Sequence, residues 1–327
     1  MRSKNFIKKL QNFIFHEDLF ERGSGIVVGF SGGPDSTGLV LALSELADKY
    51  NLKLRLAHVN FRQRREESDK DEKFVRELAE DLNLPIDIVQ YKEKTEKENF
   101  EQAMRNFRYK FFERVRRDHQ LDLITTAHTL DDKVETFMMN LLRGSGIKGM
   151  ISLKNKNGKL MRPLLVFEKK EILSYLKEKN RDFRTDKSNF NTKFLRNRVR
   201  LELIPLIERN YNSNFKRCAQ RLVENLEGED EMAEMFASNL YEGIVKRKKG
   251  KILILTEKLS ELPEGALKRI FRKALIDLKG DLNNVTASHF FEFKKILLSE
   301  KAKKQKINLG EFSLEKKKNR VILSLER

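Results

Sequence analysis

The chain has 327 residues, 35% of them charged and 39% hydrophobic, which is typical of a soluble protein long enough for two domains. Its formal net charge of +18 favours a polyanionic partner such as nucleic acid, although a Lys- and Glu-rich surface suited to solubility or heat tolerance gives the same balance. A single cysteine, Cys218, excludes an intrachain disulfide and a cysteine-based zinc or iron–sulfur site.

The N-terminal segment, Met1 to Phe20, is charged and amphipathic and does not have the pattern of a signal peptide. Its apolar residues have helical spacing and predict a packing helix: Phe6, Leu10, Phe13 and Ile14. No apolar run in the chain approaches the roughly 18 residues that a membrane span requires. The sequence therefore predicts a cytoplasmic protein with no membrane partner.

Strand-like and helix-like segments alternate along the first two thirds of the chain. The strand candidates are Ile26–Phe30, Lys53–His58, Pro85–Gln90 and Leu121–Thr126. The helix candidates are Pro34–Lys49, Glu66–Leu82, Asn99–Asp118 and Asp131–Leu142. Strands separated by single helices predict an α/β fold with a doubly wound, Rossmann-like parallel sheet, whose ligands bind beyond the carboxyl ends of the strands.

After Gly158 the pattern becomes mainly helical. Helices are expected at Phe167–Lys179, Phe194–Glu208 and Asn212–Lys246, and strands at Lys251–Leu255, Lys306–Leu309 and Arg320–Ser324. We place a boundary just after Pro205, which divides the chain into a domain of residues 1–206 and a smaller, mainly helical domain of residues 207–327. The second domain carries 26 Lys and Arg against 18 Asp and Glu, so both parts are basic.

The first strand candidate runs into a glycine-rich turn at a helix N-terminus. The turn consists of Ser31, Gly32, Gly33, Pro34, Asp35 and Ser36. Glycines allow positive φ and close approach to a ligand, and the amides and dipole of the following helix favour an anion. Because Asp35 would repel an anion directly, we expect a pyrophosphate group held together with a divalent cation. The alternative is a tight strand-to-helix turn that is merely rich in glycine.

A second cluster follows the fourth strand candidate, from Thr125 to Thr136. His128 is expected in the loop, Asp132 in the first helical turn, and Glu135 one turn later on nearly the same face. Asp132 could share Mg²⁺ with Asp35, because Mg²⁺ takes few protein oxygens and completes its shell with phosphate and water. Charge complementing the helix dipole is the alternative for Asp131 and Asp132.

Arginines accompany the ends of the other predicted elements. They are Arg62, Arg64 and Arg65 after His58-Val59-Asn60, Arg105 and Arg108 on one helix, Arg143, and Arg196, Arg198 and Arg200. Each alone is most simply a solvated surface residue. Together they could line a cleft with positive charge over ATP and a nucleic-acid backbone.

The turn resembles the SGGxDS motif of the PP-loop ATP pyrophosphatase superfamily. Several motifs taken together resemble one family more specifically, the tRNA(Ile)-lysidine synthetases, over roughly residues 25–206. They are Ser31–Ser36, His58-Val59-Asn60 with Arg64 and Ser68, Ala127-His128 with Asp131, Asp132 and Glu135-Thr136, Arg143–Gly146, Arg162-Pro163-Leu164, and Asp186, Ser188 and Asn189 followed by Arg196-Asn197. The last third resembles the family's helical middle domain more weakly.

The resemblance implies a ligase that uses ATP and Mg²⁺. The wobble cytidine in the CAU anticodon of isoleucine tRNA is adenylated, free L-lysine attacks the activated base, and lysidine, AMP and pyrophosphate result. ATP is expected at Ser31–Ser36, Ala57 and His58, and Mg²⁺ at Asp35 and Asp132. The catalytic set implied is Asp35, His128, Asp132, Arg196 and Arg105, of which His128, Arg196 and Arg105 would contact phosphate.

One motif departs from the family pattern. Where the family has His-Val-Asn-His-Gly-Leu-Arg, this chain has Phe61 and Arg62 in place of the second His and the Gly. Phe61 is therefore expected to pack or stack.

Three rival functions stay open. A tRNA thiolation enzyme commonly relies on cysteines, whereas this chain has one. An amidotransferase-type or NAD-synthetase-type enzyme acts on a small substrate and does not call for so much positive charge. A non-catalytic RNA-binding protein on a dead nucleotide fold is expected to lose Asp35 or Asp132, and both are present.

Overall fold

Strand β1 (Gly25–Gly29) lies inside the sheet of the first structural unit and leads directly into the glycine-rich turn. The structure is a computed structural model that describes residues 2–62, 65–91, 100–151, 153–185, 194–257, 259, 261–299 and 305–326. The chain folds as two compact units, Met1–Glu224 and Asn225–Arg327. The sequence-based boundary at 206/207 remains a prediction about the functional domains.

The described residues of the first unit contain a mainly parallel sheet. Its further strands are β2 (Lys53–Asn60), β3 (Ile86–Gln90), β4 (Leu123–Thr125), β5 (Lys156–Asn157) and β6 (Leu160–Met161). The strand order is β3-β2-β1-β4-β6-β5, and only the β5–β6 pair is antiparallel. The predicted α/β fold is confirmed, and the two short strands β5 and β6 were missed.

The helices of the first unit include those that carry the residues of the site. They are α1 (Arg2–His16), α2 (Pro34–Tyr50), α3 (Arg65–Asp81), α4 (Phe100–Asp118), α5 (Leu130–Leu142), α6 (Ile147–Met150), α7 (Lys169–Glu178), α8 (Leu195–Arg198) and α9 (Ile204–Asn210). The helix α10 (Phe215–Ile244) begins in the first unit and ends in the second. A π-helical turn, Val199–Leu203, joins α8 to α9. The predicted helix Phe194–Glu208 is this continuous run of α8, the π-helical turn and α9.

The side chains of β1 alternate between two hydrophobic clusters. Ile26 and Val28 pack with residues of α1, α2, α3 and α7, whereas Val27 packs with Phe111 and Phe112 of α4. Because both faces are covered, β1 is a continuous apolar run rather than an alternating one. Gly29 permits a close approach of α4, since a Cβ there would lie 2.8 Å from the Phe112 ring.

The second unit contains an antiparallel sheet in addition to its helices. The strands are β7 (Val245–Lys248), β8 (Lys251–Leu255), β9 (Gln305–Asn308), β10 (Phe312–Lys317) and β11 (Arg320–Leu325), in the order β7-β8-β11-β10-β9. The helices α11 (Glu264–Lys279) and α12 (Ala287–Leu298) share one core with this sheet.

The sequence prediction found three of these strands and missed β7 and β10. Both contain short runs of basic residues, at positions 246–248 and 316–317. The residues of β7 are mostly exposed, so the strand has no buried face to mark it by alternation. In β10 the three buried residues precede a charged end, which makes its apolar signal short.

Candidate active site

The predicted phosphate loop lies where β1 ends and α2 begins. Within it the Ser31 and Ser36 hydroxyls lie 3.0 Å apart, and Ser36 Oγ also donates to the Gly33 carbonyl at 3.0 Å. The Gly32 carbonyl accepts from the Arg184 amide at 2.8 Å and from Thr37 Oγ1 at 3.3 Å. These bonds fix the turn and direct the Gly32 carbonyl towards protein donors.

Gly32 and Gly33 have different tasks in this loop. Gly32 has φ +82°, a left-handed conformation that L side chains rarely adopt. Gly33 is the N-cap of α2, makes no side-chain capping bond, and is followed by Pro34 at the first helical position. Because no side chain caps the helix, the amides of its first turn are available to an anionic group.

Asp35 lies in that first turn with one oxygen unsatisfied. Its buried Oδ1 has no hydrogen-bond partner among the described residues, while Oδ2 lies 3.7 Å from Lys169 Nζ. The pKa of Asp35 is raised to about 6, chiefly because burial disfavours the charged carboxylate. The charges of Lys169 and Arg200 oppose this rise, and those of Asp132 and Asp131 contribute to it. A buried carboxylate oxygen of this kind fits a cation ligand.

Asp132 is held in one orientation by the start of α5. Thr129 is the N-cap and forms a capping box with Asp132, whose Oδ2 accepts from the Thr129 amide at 2.9 Å and hydroxyl at 3.0 Å. The other oxygen, Oδ1, accepts from Arg196 Nη2 at 2.7 Å. Burial raises the pKa of Asp132, but the nearby charges of Arg196 and Arg200 and the hydrogen bond from the Thr129 amide outweigh this effect. The pKa of Asp132 is therefore below its usual value.

Glu135, one turn beyond Asp132, completes a network of two carboxylates and two guanidinium groups. It is 1% exposed and accepts from Arg196 Nε at 2.9 Å and from Arg200 Nε at 2.5 Å. Arg196, predicted as a phosphate contact, therefore binds both carboxylates in this structure. It is 42% exposed, so part of its guanidinium stays accessible.

His128 lies half-buried in the loop before α5. Its Nδ1 is 2.9 Å from Thr126 Oγ1. The pKa of His128 is lowered to about 4, chiefly because burial disfavours the charged imidazolium. The charge of Asp132 opposes this shift, and the charges of Arg162, Arg196 and Arg105 contribute to it. A neutral imidazole at physiological pH can donate or accept a hydrogen bond.

Ala57 and His58 support the loop from β2. The Ala57 carbonyl accepts from the Phe30 amide at 2.9 Å, and His58 Nδ1 donates to the Phe30 carbonyl at 2.8 Å. Both side chains are buried, and His58 Nε2 has no partner within the described part of the chain. Burial lowers the pKa of His58, so its ring is neutral.

The departure from the family motif has a structural consequence. Arg62 has φ +49°, a left-handed conformation at the position where the family pattern has glycine. The Asn60 side chain accepts from the Arg62 amide at 2.9 Å and supports this turn. Phe61 packs near Tyr91, with ring centroids 5.8 Å apart.

Arg105 lies exposed on α4, with its guanidinium carbon 5.3 Å from the Tyr109 ring centroid. The other expected residues Arg64, Asp186, Ser188 and Asn189 lie outside the described residues.

Sequence reasoning missed Lys169, which lies near Asp35, and gave Arg200 no individual role. Lys169 is far from Asp35 along the chain, and no local pattern marks it.

No group of three or more metal-ligating side chains lies together among the residues described. Two carboxylates from different helices, Asp35 on α2 and Asp132 on α5, are the oxygen donors whose charges interact here. Because Mg²⁺ usually takes one or two protein carboxylates and completes its shell with phosphate and water, this pair fits Mg²⁺ bound together with a nucleotide.

Within the described helices, none is long and apolar enough to cross a bilayer.

Comparisons with known proteins agree with this arrangement. The PP-loop domain family matches residues 2–207. The tRNA(Ile)-lysidine synthase of Clostridium perfringens is 34% identical over 307 residues, which cover 92% of this chain and 65% of that protein. The corresponding protein of Caldanaerobacter subterraneus is 33% identical over 307 residues, with 93% and 65% covered. The chain thus spans 65% of the length of these curated relatives.

A solved structure, the U34-tRNA thiolase of Methanococcus maripaludis, shares the fold. Its TM-score is 0.53 at 22% sequence identity, and the match covers 68% of this chain and 80% of that chain.

Proposed function

This chain belongs to the PP-loop family, and we propose that it uses ATP to join free L-lysine to the wobble cytidine in the CAU anticodon of isoleucine tRNA. The products are lysidine in the tRNA, AMP and pyrophosphate. The observation that carries the proposal is the buried Oδ1 of Asp35, which has no partner in the described part of the chain and lies in the first turn of α2, where no side chain caps the helix. Relatives that cover most of this chain bear the corresponding name.

The residues of the loop are suited to ATP phosphates. The amides at the start of α2 provide hydrogen-bond donors, and Ser31 and Ser36 add hydroxyl groups. Asp35 and Asp132 would hold Mg²⁺, which when bound neutralises charge that develops on phosphate oxygens. Lys169 adds a further positive charge near Asp35.

His128 and Arg196 lie on the Asp132 side of the site. A neutral His128 can donate a hydrogen bond to a phosphate oxygen without carrying charge. Arg196 is held by Asp132 and Glu135, which orients its exposed part before substrate binds. Electrostatic groups that are already oriented stabilise a developing negative charge without reorganising during the reaction.

RNA is the second substrate in this proposal. The net charge of +18 favours polyanion binding, and both structural units contribute to it. We assign RNA recognition to the basic second unit, since RNA helices are read largely by shape and backbone. A thiolation mechanism based on a cysteine cluster is disfavoured because the chain offers only Cys218.

The test is incorporation of radiolabelled lysine into isoleucine tRNA transcript in the presence of ATP and Mg²⁺. The proposal expects ATP-dependent labelling confined to a tRNA with a CAU anticodon, with one AMP released per lysine. The matched RNA control is the methionine tRNA, which has the same anticodon. RNA-stimulated pyrophosphate release without labelling would contradict lysine as the nucleophile, and RNA binding without ATP turnover would contradict an enzymatic role.

A further inference from the structure

Two arginines on α4 have no carboxylate partner among the described residues, in contrast to Arg116 and Arg117 of the same helix. Arg105 and Arg108 are exposed, and no carboxylate within the described ranges lies at ion-pair distance from either. Further along α4, Arg116 and Arg117 pair with Glu113 at 2.8 and 2.7 Å. Among the residues that the structure describes, the positive charges of Arg105 and Arg108 are therefore not paired with a carboxylate.

Each of the two arginines lies over an aromatic ring. The guanidinium carbon of Arg105 is 5.3 Å from the Tyr109 ring centroid, and that of Arg108 is 5.3 Å from the Phe61 centroid. Contact with a ring face limits the motion of a guanidinium group while leaving N–H groups at its edge free. Such groups bind phosphate oxygens well.

Phe61 belongs to a group of aromatic rings that contact one another. Its centroid is 5.8 Å from that of Tyr91, and Tyr91 meets Phe107 edge to face at 4.9 Å. Because Phe61 directly follows β2, it lies at the edge of the sheet where ligands bind in this type of fold. The aromatic residue that replaces the family's His thus brings Arg108 to this edge.

Positive charge also lies beneath this surface. Arg162 is 4% exposed, its Nε has no hydrogen-bond partner among the described residues, and its side chain hydrogen-bonds to Tyr109. Desolvation and the charge of Arg105 lower the pKa of Arg108. Like charges held together without counter-charges destabilise each other, and an anionic ligand would relieve that repulsion.

We propose that Arg108 stacked on Phe61, with Arg105 beside it, binds a backbone phosphate of the RNA strand that carries the target base. The inference rests on the proposed function and adds a binding surface to it. RNA is a better candidate ligand than ATP here, because the loop at the start of α2 is already the proposed binding site for the phosphates of ATP. Arginine beside an aromatic ring is a combination that also occurs in proteins that bind single-stranded nucleic acid.

The experiment uses the full chain and an anticodon stem-loop RNA with the CAU sequence. Binding is measured by fluorescence anisotropy over a series of KCl concentrations, and ATP binding is measured separately. The variants are Arg108→Gln, Arg108→Lys and Phe61→Ala. The matched control is Arg114→Gln, since Arg114 is exposed on the same helix and lies 5.2 Å from the Phe111 ring.

Loss of one phosphate contact in Arg108→Gln should reduce the slope of log affinity against log salt by about 0.7. Arg108→Lys should keep the slope, because the charge is retained. Phe61→Ala should weaken RNA binding about two- to fivefold and also keep the slope, because it removes only the ring contact. ATP affinity should match wild type in all variants.

Equal slopes and affinities for Arg108→Gln and Arg114→Gln would overturn the proposal. A loss of ATP affinity with unchanged RNA binding would overturn it as well and reassign the arginines to the nucleotide. If wild type incorporates lysine while these negative results hold, only this inference fails. If wild type binds no stem-loop and no isoleucine tRNA, the proposed function fails with it.

Discussion

Glu135 accepts two hydrogen bonds from the Arg200 guanidinium, one from Nε at 2.5 Å and one from Nη2 at 2.9 Å. Arg200 lies in the π-helical turn, and such turns often occur at functional sites. The same carboxylate binds Arg196, so one buried anion orients two cations. Glu135 therefore acts as a positioning residue for the arginines.

Replacing Glu135→Gln should lower the free energy of unfolding by about 2 kcal/mol. Breaking a fully buried ion pair would destabilise a protein by more than this. Here both arginines are partly exposed, so water can solvate the guanidinium groups that lose their carboxylate partner. Urea unfolding monitored by circular dichroism gives the value. The control is Glu77→Gln, whose partner Lys73 is 76% exposed and whose loss should cost much less. Equal effects of the two changes would contradict the positioning role.

Asp35→Asn and Asp132→Asn should each reduce lysine incorporation by at least about a hundredfold. Each removes one charged oxygen donor expected to hold Mg²⁺, which corresponds to several kcal/mol of transition-state stabilisation. Single-turnover rates with ATP and isoleucine tRNA measure the effect, and circular dichroism confirms folding. Near-normal turnover in a folded variant would show that its carboxylate is not a metal ligand.

The raised pKa of Asp35 predicts how stability depends on pH without metal or nucleotide. Burial raises that pKa to about 6, so the folded state holds the proton more tightly than the unfolded state. Ionised Asp35 therefore destabilises the fold, by an amount that grows from about pH 4 and is complete above about pH 6. The full penalty is about 3 kcal/mol.

Asp35→Asn should consequently be more stable than wild type at pH 7.5, whereas the difference should vanish near pH 4. Paired urea titrations of both proteins across this range, with chelator and without nucleotide, measure it. A difference that stays constant with pH would mean that Asp35 has an ordinary pKa.

Thr129→Ala should destabilise the protein by about 1 kcal/mol, because Thr129 caps α5. It should also slow lysine incorporation, since the Thr129 hydroxyl orients the Asp132 carboxylate. Thr129→Ser keeps the hydroxyl and should retain both properties. If Thr129→Ser lost activity as much as Thr129→Ala, the hydroxyl would not be the relevant group.

Deletion of the second unit should weaken RNA binding and reduce discrimination against methionine tRNA. The cut belongs after Glu224, because Lys216 pairs with Asp131 at 2.9 Å and Arg217 with Glu171 at 3.1 Å. ATP binding by residues 1–224 confirms that the remaining unit is folded. Unchanged RNA affinity and selectivity would exclude a recognition role for residues 225–327.

Local signals were sufficient for much of the fold and for the glycine-rich turn between β1 and α2. The apolar run of β1, the glycines at 32 and 33, and the helix-forming segment after Pro34 act over short distances, so their pattern is visible in the sequence. The strands β7 and β10 were missed because their stability depends on pairing with β8, β9 and β11 rather than on a local apolar pattern.

The sequence by itself determined the parallel α/β unit, the loop at α2 and the carboxylates Asp35 and Asp132. Only the tertiary structure decided that Lys169 lies near Asp35, that Glu135 is buried between Arg196 and Arg200, and that Phe61 supports Arg108. The reason is physical: backbone conformation and helix capping depend on neighbouring residues, whereas ion pairs and ring contacts depend on which distant segments the folded core brings together.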